Sequence, residues 1–231
     1  TLLAADGYRP FTKVQHLNGL RKAFYIHLSR QYPFSRNGLY NLDVHTGHMP
    51  FGYHTEAGFD ELFQRSGEIS IAGTAVRSFE PEDLLQILCF HGVKNRWEAL
   101  KHACDVAELL RAEPGLNWDR IQDRARSARC ERILHLGLHV AHDWLGAPLP
   151  HEVAQKISRS GRVASLAARL KDNLTRSHLE LLDNRARFHF HMATQDTLST
   201  KARYLFYSFL RKASRQVLQA PPSPSYAVDA A

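Results

Sequence analysis

The feature that most restricts the fold of this chain is a switch in hydrophobic period at Glu80-Pro81-Glu82-Asp83. Before it, the extended runs alternate residue by residue between apolar and polar and are separated by turn signals. After it, apolar residues recur at helical spacing almost to the C-terminus. Asn37-Gly38 divides Gln31 to Arg36 from Leu39 to Thr46, and Asn-Gly is a strong hairpin signal because both positions tolerate positive φ. Pro33 has no N–H to give to a ladder, which predicts that the first of these strands lies at a sheet edge. A short helix from Gly58 to Arg65 precedes a second expected hairpin, Glu68 to Ile71 and Ala75 to Phe79, turning at Ala72-Gly73-Thr74. The switch is itself a helix start, because a proline lacks the N–H that would go unpaired there and acids suit the positive end of the dipole. These signals give an α+β chain: hairpin strands first, then helices.

The first residues, Leu2 to Tyr8, read as the last turn of a helix ended by Gly7, and with the chain opening at Thr1 a preceding segment is expected. Phe11 to about Tyr25 fits an amphipathic helix through Val14, Leu17, Leu20 and Phe24. After Pro81 the face marked by Leu84, Ile87, Leu88 and His91 is followed by helices at Trp97 to Arg111, Trp118 to Ala128, Glu131 to Trp144, Glu152 to Ser158 and Val163 to Leu174. A long basic helix ends near Leu218. The proline-rich end reads as unstructured, so the expected division is residues 1–79, an α-helical domain at 80–220 and a tail at 221–231.

A 231-residue chain that is 44% hydrophobic can bury an ordinary core. No stretch is long and apolar enough for a membrane span and no signal-peptide order opens the chain, so a cytoplasmic location is the expectation. Cys89, Cys104 and Cys130 are widely spaced and form no Cys-x-x-Cys pair, which reads as reduced core thiols. The formal charge of +7 favours anionic partners. Much of it follows residue 155, in Lys156, Arg159, Arg162, Arg169 and their successors, interleaved with apolar residues as on solvated helix faces. Nucleic acid is therefore not the favoured partner. The sequence assigns no oligomeric state.

Candidate chemistry begins in Tyr40-Asn41-Leu42-Asp43-Val44-His45, where alternation puts Asn41, Asp43 and His45 on one face and Tyr40, Leu42 and Val44 on the core face. A strand carboxylate facing away from the core suits Mg²⁺, which takes oxygen ligands and often shares them with substrate phosphates. Farther on, His91 continues an apolar helix face, where a core histidine is the plainer reading. Lys94 lies about a turn beyond and has the charge to meet a phosphate. Trp97 has the position of a helix-junction residue. Lys101 and Asp105 have the spacing of a surface ion pair. His135, His139 and His142 share a helix face, but their apolar neighbours favour packing over zinc. In the last helix Tyr204, Phe206, Tyr207, Phe209 and Leu210 between basic residues favour packing over a membrane surface.

The ordered series Gly7-Tyr8, Leu42-Asp43-Val44-His45, Asp60-Glu61-Leu62-Phe63, Glu82-Asp83-Leu84-Leu85, His91-Gly92-Val93-Lys94-Asn95-Arg96-Trp97 and Asp105-Val106-Ala107 resembles the uncharacterised nucleotidyltransferase family, which shares the polymerase-β-like fold. The resemblance covers roughly residues 1 to 150. It implies that residues 1–79 are the C-terminal part of a catalytic domain with a partial nucleotidyltransferase-type sheet. It also implies Mg²⁺-dependent transfer of a nucleoside monophosphate from an NTP to a hydroxyl acceptor. Asp43 matches the third metal carboxylate, and His91, Lys94, Trp97 and Asp105 match the helical motif, with Lys94, His91 and Trp97 on the nucleotide side. The Gly-Ser turn and the acidic pair of such enzymes are expected before Gly7-Tyr8. A non-catalytic binding or scaffold protein of the same fold is the alternative.

Overall fold

The computed structural model describes residues 2–10, 19–47, 52–53, 58–174 and 184–219. They form small antiparallel sheets of hairpin strands followed by helices, the α+β arrangement expected. By its contacts the chain divides into two compact units, residues 1–52 with 205–231, and residues 53–204.

In the first unit α1 (Leu2–Ala5) stops where Gly7 takes a φ of +77°, and the N–H of Tyr8 reaches back to the Leu3 carbonyl at 2.9 Å. β1 (Arg9–Pro10), α2 (Gly19–Ser29), β2 (Gln31–Arg36) and β3 (Tyr40–His45) follow, and the sheet order is β1-β2-β3. The expected helix from Phe11 is seen from Gly19 and runs on to Ser29; residues 11–18 lie outside the described residues. Asn37 and Gly38 turn the β2–β3 hairpin with φ of 56° and 70°, as their chemistry requires.

β2, the strand that carries Pro33, is the middle strand and not the edge. The N–H of Thr46 bonds the Arg30 carbonyl at 2.9 Å, and Arg36 pairs Tyr40, so the even-numbered residues of β2 bond β3 and Pro33 turns its missing donor the other way. On that side β1 pairs with Ser35 and Phe34, and the proline is opposite neither of its two residues. The supposed core face of β3 is also open: Tyr40 is 55% exposed, and Leu42 and Val44 are each 38% exposed. The apolar cluster of this sheet lies on β2, where Tyr32 is buried against Tyr25, Ile26 and Phe34.

The second unit holds α3 (Phe59–Gln64), the hairpin β4 (Gly67–Ile71) and β5 (Thr74–Ser78), and the helices α4 (Pro81–Lys94), α5 (Lys101–Ala112), α6 (Trp118–Ser127), α7 (Glu131–Leu145), α8 (His151–Ser158), α9 (Gly161–Leu174) and α10 (Asn184–Ala193). The long basic run is thus a helix of its own, α11 (Leu198–Gln219), which begins after a break at Thr194 to Thr197. Ala72 and Gly73, at φ of 49° and 80°, close the hairpin in two residues rather than three. The core forms around α7, which packs on α4, α5 and α9 and is apolar on most sides: Ile133, Leu134, Leu136, Leu138, Val140 and Ala141 are all buried. Burying each Leu, Ile or Val side chain contributes about 1.5–3 kcal/mol.

The buried face of α4 is one step out of phase with the face expected from Leu84, Ile87 and Leu88. Leu85, Cys89, Gly92 and Val93 go inside, and His91 is exposed. Small residues make the difference. A Cβ built on Gly137 would stand 2.4 Å from the Cys89 sulfur, so α7 and α4 touch closely at a glycine and a cysteine that carry little apolar signal. Burial pushes the Cys89 thiol up to about 12, which leaves it inert as a nucleophile.

The acids that open α4 bind more than a dipole. Asp83, buried, accepts from Arg65 Nε at 3.1 Å and Nη2 at 3.2 Å and from Arg124 Nη1 at 2.8 Å, while Glu80 also pairs with Arg124 and lies 3.7 Å from Arg120. The network ties α3 and α6 to the start of α4. Burial raises the Asp83 pKa, and the arginines only partly offset it.

Candidate functional site

The sequence-derived site residues fall on two local platforms. The first is β3. Asn41, Asp43 and His45 pair with Ser35, Pro33 and Gln31, so they alternate onto one face of the strand, and all three are exposed. The hairpin turn at Asn37-Gly38 sets this register. Asp43 also acts on Tyr25 of α2, whose phenol pKa is raised by burial first and by the Asp43 charge second, with Arg211 opposing. Tyr25 and Arg211 are thus members of the Asp43 neighbourhood that spacing along the sequence could not disclose.

An exposed carboxylate of this kind offers an oxygen ligand to Mg²⁺. Among the described residues no group of three or more His, Cys, Asp or Glu is placed to hold a metal ion. The exposed Asp43 offers a single carboxylate, and the described residues do not assemble a two-ion centre.

The second platform is the C-terminal end of α4. Here the chain leaves the helix abruptly: Arg96 and Trp97 both take left-handed φ, 54° and 55°, a rare conformation for such residues. This break is why α5 starts at Lys101 rather than at Trp97. Packing holds it. Trp97 is 1% exposed, its N–H bonds the Gly92 carbonyl at 2.8 Å, and a Cβ on Gly92 would meet the indole at 2.4 Å. Arg96, also buried, pairs with Glu98. Asn95 closes the helix end by donating its N–H and side-chain amide to the His91 carbonyl, at 3.1 and 2.8 Å.

The turn leaves His91 exposed and Lys94 half-buried at the helix end, where the dipole favours a cation. Trp97 lies inside and presents no open face for a base. The exposed ring of His91 stands edge-on to His102, with centroids 5.6 Å apart. His102, which the sequence did not single out, is buried, and burial first and the Lys101 charge second lower its pKa. Its Nδ1 and the Trp97 Nε1 are buried without a hydrogen-bond partner. Lys101 and Asp105 form no ion pair among the described residues; both charges act on His102, which lies between them in sequence.

The remaining candidates divide. His135 is buried at one side of α7 with its pKa lowered, chiefly by burial. His142 is exposed and its Nδ1 is 2.7 Å from the Ala147 carbonyl. In α11, Tyr204 and Tyr207 are buried, whereas Phe206 and Phe209 are 56% and 68% exposed. No helix among the described residues is long and apolar enough to cross a membrane.

Comparison with known proteins bears on both platforms. A family model described as an uncharacterised nucleotidyltransferase matches residues 1–146, which include β3, α4 and the turn at Trp97. No curated protein and no solved structure matches the chain. Nucleotidyltransferases generally use divalent metal ions and act on a nucleotide substrate. With well over half its length matched, this chain belongs to the uncharacterised nucleotidyltransferase family.

Proposed function

We propose that the chain serves Mg²⁺-dependent transfer of a nucleoside monophosphate from an NTP to a hydroxyl acceptor. The observation that carries this reading is the exposed Asp43 on a regular strand inside the family-matched stretch. Asp43 would hold a magnesium ion, which neutralises phosphate charge when bound. Lys94 would meet phosphate oxygens as a point charge, with His91 beside it. Trp97 and Asn95 fix the turn that presents Lys94.

A second reading, a non-catalytic binding or scaffold protein of this fold, is favoured by the lack, among the described residues, of any group of three or more His, Cys, Asp or Glu placed to hold a metal ion. Labelled NTP, Mg²⁺ and a panel of hydroxyl acceptors separate the two. One carboxylate positions two ions poorly, so the purified chain is expected to give at most trace transfer, and Asp43→Ala removes that trace. Robust transfer abolished by Asp43→Ala would overturn the scaffold reading. Robust transfer indifferent to that substitution would overturn the role given to Asp43.

A further inference from the structure

A cleft of about 370 Å³ opens in the helical unit where the first turns of α7 and α9 meet the end of α8, and neither Asp43 nor Lys94 lines it. Four cations face it, Arg132, Lys156, Arg159 and Arg162, against two carboxylates, Glu131 and Asp196. Both carboxylates are already engaged. Asp196 accepts from the Arg132 backbone N–H at 3.2 Å and lies 3.8 Å from its Nε; Glu131 stands 3.6 Å from the Lys156 ammonium. Arg132 also donates to the carbonyls of Ala193 and Gln195, and Lys156 to Gln122. Arg159 and Arg162 remain, exposed, and their side chains make no ion pair or hydrogen bond to any described residue.

Two positive charges are therefore unmatched at the mouth of a concave surface. Arg162 is close enough to Arg132 for the two charges to repel, a cost that an anion between them would relieve. The cleft also takes in Ser160 and the first turn of the 14-residue α9, where Ser160 accepts the N–H groups of Val163 and Ala164 while those of Gly161 and Arg162 have no acceptor among the described residues. At its wall lies His135, 9% exposed, whose ring makes no hydrogen bond to a described residue and so has a nitrogen to offer. A buried, unpartnered imidazole, free guanidinium forks and a helix start converge on one volume.

We propose that this cleft binds the phosphate of a phosphorylated small molecule, held by Arg159, Arg162 and the start of α9, with His135 contacting the remainder. A phosphomonoester dianion matches the two unmatched charges, and guanidinium groups pair with phosphate oxygens in a bidentate fork. The volume leaves room for a group about the size of a sugar beside the phosphate. The site is independent of the transfer reaction proposed above.

Isothermal titration of the full chain at low salt with inorganic phosphate, ribose 5-phosphate and malonate tests the assignment. Ribose 5-phosphate should bind with a dissociation constant of about 1 mM or tighter, and better than phosphate alone. Arg159→Ala with Arg162→Ala should weaken it at least about tenfold, whereas Lys171→Ala, exposed on α9 but outside the cleft, leaves it unchanged. His135→Ala should narrow the gap between ribose 5-phosphate and phosphate. The arginines are exposed, so the double variant should keep the wild-type circular dichroism spectrum. No binding to wild type, equal binding by the double variant, or tighter binding of malonate would overturn the proposal.

Discussion

The β1–β3 sheet and the α4–α7 bundle are built on opposite terms. Every residue of β3 is exposed, and Tyr32 is the buried centre of a small cluster on β2. In α7 eight of fifteen residues are buried, and its neighbours approach so closely that a single methyl on Gly137 has no room. Both regions carry a residue assigned a chemical part, Asp43 on the open strand and Lys94 at the end of a packed helix. Here a regular strand supplies position with little burial, while the helical turn at Trp97 obtains its position from the core beneath it. Substitutions should therefore part cleanly in their effects.

The largest contrast is in core truncation. Leu138→Ala, at 1% exposed, should cost about 2–5 kcal/mol, whereas Val44→Ala on β3 should cost less than about 1 kcal/mol. Urea denaturation of the two variants measures this. Comparable losses would show that β3 is covered by packing equal to that of α7.

Next is the Asp83 network. Asp83→Ala leaves Arg65 and Arg124 without their buried partner and should cost about 2–4 kcal/mol, toward the low end because Arg65 is about a third exposed. The pH dependence has a defined sign. Because folding raises the Asp83 pKa, the folded chain holds that proton more tightly than the unfolded one. This group's contribution falls as pH rises through the ordinary aspartate range to the raised value, and recovers on acidification. The stability difference between wild type and Asp83→Asn should thus shift toward wild type as pH is lowered through that window. A shift the other way would mean that the two arginines outweigh burial.

A smaller effect is expected at the turn. Gly92→Ala drives a methyl into the Trp97 ring and should cost about 1–3 kcal/mol, read as a lower denaturation midpoint and altered tryptophan fluorescence. An unchanged midpoint would show that Trp97 can move aside, and that the left-handed turn does not depend on it.

The parts of this arrangement that were legible in the sequence are those set by local chemistry. Asn37-Gly38 announced its hairpin because left-handed φ belongs to few residues, and Gly73 marked the second one inside Ala72-Gly73-Thr74, although Ala72 also takes a φ of 49° there. Glu80-Pro81 announced a helix start. Alternation placed Asn41, Asp43 and His45 together, but it is blind to whether another layer covers the opposite face, so the exposure of Leu42 and Val44 was missed. The phase of α4 was missed because its contact with α7 uses Cys89, Gly92 and Gly137, whose small size matters more than their hydrophobicity. Pro33 was misplaced because edge rules count missing donors without knowing to which side they point. The Arg132 cleft was hidden in a run of basic residues that reads as a solvated face, since its members come from α7, α8 and α9 and meet only in the fold. His102 gave no signal beyond its neighbours' charge.

Titrating wild type, Asp43→Asn and Lys94→Ala with ATP by NMR, with and without Mg²⁺, decides whether Asp43 and Lys94 take part in binding an NTP. Wild type should bind no tighter than about 1 mM. Asp43→Asn should lose the part of the affinity that depends on Mg²⁺. Lys94→Ala should weaken binding a few-fold and reduce its salt sensitivity. Identical responses from the three proteins would contradict the account, leaving Lys94 as an ornament of a helix end and Asp43 as an ordinary solvent-facing carboxylate.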